Sequence, residues 1–191
     1  MIDEASDLVS RMLQEIRDHT SESLLILVPT EIGQFTRKTI DGMLPPENIE
    51  IVLDLKKDYT IPIDPNKMKR VLENLISNAI EAMPAGGKVT VGIQRFGETT
   101  QIQVIDNGVG VREEDKRNLF KAFNTTKSNG MGLGLVYCKQ AVEAHHGTIS
   151  FESKIGRGTT VTIHLPHSMK SPEVRVRENI SSLTGKDIIT R

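Results

Sequence analysis

The chain has 191 residues, with 24 Lys plus Arg against 25 Asp plus Glu and 37% hydrophobic side chains, which suits one soluble domain with a short appendage. The balanced charge argues against a general nucleic-acid binder, and the single cysteine, Cys138, excludes an intrachain disulfide and a multi-cysteine zinc site. No apolar run approaches the roughly 20 residues that span a bilayer, and aromatics at 4% with no Trp are too few for base-stacking platforms.

In chain order, Ile2, Ala5, Val9, Met12 and Ile16 recur at alternating spacings of three and four, with His19 next in the row. This is the seam of a helix that packs on a partner in a bundle or homodimer, and it also fits an amphipathic helix lying on its own domain. The acidic start is unlike a secretory signal. Leu24 to Val28 predicts a strand ended by Pro29, and Thr30 an N-cap for a helix with Ile32, Phe35, Thr39, Ile40 and Met43 on one face. Ile49, Ile51, Leu53 and Leu55 alternate as a strand. Asp64-Pro65 supplies an N-cap and a first-turn proline for a helix with Met68, Val71, Leu72, Leu75, Ile76, Ala79 and Met83 on its core face. Lys88–Arg95 and Gln101–Ile105 read as paired strands, Leu135–His145 as a helix, and Thr148–Lys154 with Thr159–Leu165 as a last hairpin. A short helix starts near Arg112, and His145 and His146 fall at a helix C-terminus, where basic residues suit the dipole. Residues 1–22 form a separate helical segment, 23–166 the domain, and 167–191 a tail or linker. Helices mixed with antiparallel hairpins predict an α+β sandwich and argue against a doubly wound fold.

Four clusters at element ends carry chemistry. Asn74, Asn78 and Glu81 lie within about 60° of one another on a helix, beside its apolar arc. Amide oxygens there are hard ligands suited to Mg²⁺, and the same row also fits a solvated helix edge. Asp106-Asn107-Gly108-Val109-Gly110 follows an apolar strand, either as a pocket carboxylate or as a plain turn. Gly130-Met131-Gly132-Leu133-Gly134 opens a helix, where exposed N–H groups hold phosphate, or forms a flexible loop. It is neither a Walker loop nor a dinucleotide fingerprint. The polar run before it contains Lys127, a phosphate-contact candidate. The fourth cluster is Gly156-Arg157-Gly158-Thr159-Thr160, a tight turn in the last hairpin.

Taken in order, VLENLISNAIEAM, VIDNGVGV, LFKAFNTTK, GMGLGL and GRGTTVTIHLP resemble the boxes of the GHKL superfamily, and within it the catalytic and ATP-binding domain of sensor histidine kinases. The resemblance runs from Glu47 to Pro166. It implies a Bergerat-type ATP-binding fold, a two-layer α/β sandwich whose mixed sheet is covered on one face by helices, with ATP and Mg²⁺ as cofactors. It implies that Asn78 coordinates Mg²⁺ and Asn74 supports the triphosphate, both counted as catalytic, with Glu81 beside them. Asp106 would take the adenine amino group with Thr159 or Thr160, while Gly108 and Gly110 let the base lie on the backbone. Gly130, Gly132 and Gly134 would wrap the phosphates with Met131, Leu133 and Lys127, and Phe120 and Phe123 would anchor the lid. Ile80, Met83, Ile105, Met131 and Leu133 would line the adenine slot.

Hydrolytic members of the superfamily carry a glutamate where Asn74 stands here, so the resemblance favours a kinase that keeps water inactive. His19 is followed by Thr20-Ser21-Glu22 rather than by the acidic and basic pair of a phosphoacceptor motif. The histidine that receives phosphate is therefore expected on a separate helical domain of the same kinase. Residues 1–22 resemble the end of the second helix of that dimerisation and phosphotransfer domain, and this chain is expected to be an excerpt from the cytoplasmic portion of a longer sensor that can be membrane-bound. A downstream response regulator would be the further partner. The competing readings are a nucleotide-binding module without transfer and a GHKL serine kinase of the anti-sigma type. Cys138 is expected to pack in the core.

Overall fold

A computed structural model describes residues 25–55, 57–117, 119–120 and 132–168. The expected seam helix over residues 2–19, together with Phe123, Lys127, Gly130 and Met131, lies outside the described residues.

The described chain runs β1 (Val28–Glu31), α1 (Ile32–Asp41), β2 (Ile49–Leu55), β3 (Thr60–Ile63), α2 (Pro65–Glu81), β4 (Gly87–Phe96), β5 (Thr99–Asp106), α3 (Glu113–Lys116), α4 (Gly134–Ala144), β6 (Thr148–Lys154) and β7 (Gly158–Pro166). Five strands form a mixed sheet in the order β2-β4-β5-β7-β6, and β1 pairs with β3 in a separate two-stranded sheet. Only β2 and β4 run parallel; the other three pairs of the large sheet are antiparallel. The expected α+β sandwich is thus present.

The sheet buries one face. Val89, Val91 and Ile93 of β4, Ile102 and Val104 of β5, and Ile163 and Leu165 of β7 are buried at alternate positions, because successive strand side chains point to opposite faces. Met68, Val71, Leu72, Leu75, Ile76 and Ala79 of α2 close over them, joined by Cys138, Ala141 and Val142 of α4. Each Val, Leu, Ile or Met among them contributes roughly 1.5–3 kcal/mol by leaving water. On the opposite face a cleft of about 330 Å³ is lined by residues including Tyr59, Gly92, Gln101 and Gln103. It lies toward the strand ends remote from Asp106. Among the described residues no helix is long and apolar enough to cross a membrane.

The expected Asp64-Pro65 start is observed: the Asp64 carboxylate accepts from Asn66 N and Lys67 N, with Pro65 in the first turn. The α1 start differs. The Thr30 hydroxyl donates to Val28 O at 2.8 Å instead of capping the helix. The orphan N–H groups of Gly33 and Gln34 are taken by the Asp58 carboxylate, at 2.7 and 2.9 Å, from a loop far along the chain. The first described strand begins at Val28, residues 25–27 before it being irregular, and contains Pro29. Its partner β3, sequence TIPI, has no counterpart among the expected strands. Each holds a proline, Pro29 facing Pro62, which confines both strands to an edge pairing. His167, expected to begin the tail, is still held in place: its N–H donates to Glu98 O at 2.9 Å and its ring bonds Thr100 Oγ1.

Candidate functional site

The second half of α2 is the backbone of the site. Asn74 and Asn78 are half-buried one turn apart, while Glu81 is exposed at the helix end. Glu73, one position before Asn74, points to the surface and pairs with Lys69 at 3.7 Å. The start of α4 lies against Asn74: a Cβ at Gly134 would sit 3.6 Å from the Asn74 side-chain oxygen. Asn74 Nδ2 is buried with no hydrogen-bond partner. It lies beside the Cys138 thiol, close enough to favour the thiolate slightly but not in hydrogen-bonding geometry. Burial dominates at Cys138, whose pKa is pushed up to about 12, so the thiol is protonated and donates weakly to Val71 O at 3.7 Å. Cys138 packs, as expected.

Asp106 continues the inward row of β5, after Ile102 and Val104, so this carboxylate is aimed at the helix layer. Its Oδ1 accepts from Gly108 N at 2.8 Å and Thr159 N at 3.2 Å. Both bonds fall on Oδ1, which leaves Oδ2 for a ligand donor. Desolvation raises the Asp106 pKa, and the two N–H groups partly oppose that rise.

The loop after Asp106 is locked to its surroundings by hydrogen bonds from and to its backbone. Val109 N donates to Ala82 O at the end of α2, and Gly156 N donates to Val109 O. Val111 N donates to Ser153 Oγ at 2.9 Å. A Cβ at Gly108 would collide with the Ala82 carbonyl, and one at Gly110 with the Lys154 carbonyl. At both positions the space a Cβ would need is filled by the protein's own backbone. Gly158, with φ +88°, meets the Asp106 carbonyl in the same way.

Two further expectations change. Thr160 faces Ile105 across the β5–β7 pair, so both side chains share the sheet face opposite Asp106. Of the two threonines, Thr159 is the one brought to Asp106. Ile105, 36% exposed, faces away from any slot at Asp106. Ile80 and Met83 flank the end of α2, Met83 being buried. Leu133 is buried at the N-terminus of α4, and Gly132 before it has φ +67°. Phe120 packs its ring on Phe151 of β6 at 5.8 Å.

Sequence reasoning missed two side chains. Asn107 Oδ1 accepts from Lys88 N at 2.9 Å and so ties the loop to the start of β4. His145, 2% exposed, is not a basic residue on the helix dipole. Its Nε2 accepts from Asp64 N at 2.9 Å and its Nδ1 lies 2.7 Å from Ala141 O. An Nε2 that accepts carries no proton, so Nδ1–H donates and the ring is neutral. Burial lowers its pKa accordingly.

Residues 63–169 match the family described as histidine kinase-, DNA gyrase B- and HSP90-like ATPase. The chain belongs to this family. Among curated relatives of this ATPase family, sporulation kinase B of Bacillus subtilis (strain 168) is 40% identical over 121 residues, 63% of this chain and 28% of the relative. Sporulation kinase E of the same organism is 34% identical over 181 residues, 88% of this chain and 24% of the relative. The chain thus spans about a quarter of each. Among solved structures, the catalytic domain of histidine kinase ThkA in a nucleotide-free form aligns with a TM-score of 0.64 at 27% identity, over 74% of this chain and 95% of that one. Full-length ShkA in complex with AMPPNP aligns with a TM-score of 0.74 at 24% identity, over 91% of this chain and 38% of that one, and shares the fold.

Proposed function

We propose that the chain is the ATP-binding catalytic part of a sensor histidine kinase, which donates the γ-phosphate of ATP to a histidine on a helical phosphotransfer domain. The observation that carries the reading is the arrangement along α2. The helix holds Asn74 and Asn78 on one side, with the start of α4 against Asn74 and the Asp106 loop bonded to Ala82 about 12 Å further on. A base-reading carboxylate and an amide-lined phosphate end therefore flank one helix.

Asp106 Oδ2 accepts the adenine amino group, while Gly108 N and Thr159 N hold the carboxylate in place. The buried, unpartnered Asn74 Nδ2 and the amides at the α4 N-terminus suit phosphate oxygens. Asn78 offers Mg²⁺ an amide oxygen, and Mg²⁺ binds through one or two protein oxygens plus phosphates and water. Bound Mg²⁺ would neutralise charge on the phosphates, and this chain's residues would supply positioning. Lys127, Gly130 and Met131 complete the phosphate wrap on the strength of the family resemblance. With Asn74 an amide and Glu73 turned to the surface, no carboxylate at those positions activates water, which favours transfer over hydrolysis. A response regulator would take the phosphate onward; one fold neighbour is ThkA in complex with the response regulator protein TrrA.

Incubating the chain with a separately supplied histidine-bearing helical domain, Mg²⁺ and γ-labelled ATP tests the proposal. Acid-labile, base-stable label on histidine is expected. Label on serine would support the anti-sigma type, and bound but untransferred ATP a binding module.

A further inference from the structure

α2 and α4 lie antiparallel and touch at matched intervals. Gly134 meets Asn74 at one end, Cys138 Sγ reaches Val71 O, and Tyr137 lies under the Arg70 guanidinium, 4.2 Å from ring centroid to Cζ. At the other end His145 joins Asp64. Most of these contacts are side-chain packing, which tolerates a small slide between the helices. The His145–Asp64 contact does not: it is a buried hydrogen bond of 2.9 Å between an imidazole and a backbone N–H. The ring is held from behind by Ala141 O, and it has one tautomer that satisfies both partners.

Asp64 is itself held at three points. Oδ1 caps α2 through Asn66 N and Lys67 N, Oδ2 accepts Ile26 N at 3.1 Å, and its own N–H goes to His145. One residue thus joins the chain arriving at Ile26, the helix of Asn74 and Asn78, and the helix opened by Gly132 to Gly134.

We propose that His145 and Asp64 are a positioning pair that sets the register of α4 against α2, and through it the triphosphate half of the nucleotide site, with Ile26 as the point where the incoming chain can bias that register. The inference rests on the nucleotide reading of the site. It makes a directional demand: the Asp106 end is fixed by Val109 N to Ala82 O, Thr159 N to Asp106 Oδ1 and Val111 N to Ser153 Oγ, none of which passes through α4, so loss of the pair should spare base binding.

The test compares the affinity of the chain for adenosine with its affinity for a Mg²⁺-bound non-hydrolysable ATP analogue. His145→Leu removes the acceptor; His145→Asn suits a helix C-cap but is too short to reach Asp64 and serves if the leucine variant does not fold. In either variant, triphosphate affinity should fall about tenfold, adenosine affinity should stay within about twofold, and His145→Gln, whose oxygen can replace Nε2, should restore the native values. A purely structural histidine would lower Tm without separating the two affinities. Variants whose two affinities move together, or not at all, overturn the proposal alone. An unaltered chain that binds neither ligand overturns the site reading and this proposal with it.

Discussion

In the proposed reading the Asp106 carboxylate divides its oxygens between fold and ligand: Oδ1 takes the N–H groups of Gly108 and Thr159, and Oδ2 would take the adenine amino group. Asp106→Asn keeps an acceptor for the first task and opposes the second with an NH₂. Calorimetry should show nucleotide affinity falling by about 1.5–3 kcal/mol, the range for a hydrogen bond to a charged group. Stability should move the other way. Because desolvation raises this carboxyl's pKa, the folded state holds the proton more tightly than the unfolded state does. The resulting contribution favours folding at low pH and is lost as pH rises through the folded pKa. At neutral pH the asparagine variant, with no buried charge, should resist denaturant at least as well as the native chain. His146 offers a second residue-scale test. It occupies φ +55° after α4, where His146 N bonds Glu143 O and Gly147 N bonds Val142 O, the pattern that usually takes glycine. His146→Gly should therefore stabilise the fold by ~1 kcal/mol in a denaturant titration.

Among the elements, the β6–β7 hairpin shows how a turn builds a site. Gly156 and Gly158 both have positive φ, but nothing lies within 4 Å of a Cβ at Gly156, whereas one at Gly158 strikes the Asp106 carbonyl. Gly156→Ala should cost only backbone strain, about 1–2 kcal/mol. Gly158→Ala adds a clash with the strand that carries Asp106, the carboxylate proposed to read the base. It should cost about 2–4 kcal/mol and weaken nucleotide binding; equal losses for the two variants would refute this account. The motif spacing pointed to this hairpin, yet not to why its second glycine is needed, since the colliding carbonyl belongs to β5. α2 was legible because cap, proline and apolar row are all local. β3 was not, because four residues with a central proline carry no strand signal until Pro62 finds Pro29 on β1. The α1 cap was hidden for the same reason: Asp58 reaches Gly33 and Gln34 from another loop, and Thr30 looked like the local answer.

At the scale of the whole molecule, a sheet buries one face under a helix that holds Asn74 and Asn78 on one side. Of the polar boxes, the Asp106 cluster follows β5 and the Gly158 cluster opens β7, both at element ends, while Asn74 and Asn78 lie within α2. The pairing of α2 with α4 through His145 was not foretold, because a histidine before a glycine reads as a dipole-complementing cation until its partner, Asp64, is brought beside it by folding. The central claim, that this layout reads an adenine nucleotide, has a direct test in calorimetric titration with ATP and with GTP in the presence of Mg²⁺. Adenine presents an amino donor where guanine presents a carbonyl acceptor, so a carboxylate at Asp106 should favour ATP by about tenfold or more, a discrimination of roughly 1–3 kcal/mol. Equal affinity for the two nucleotides, or no binding of either, would contradict it.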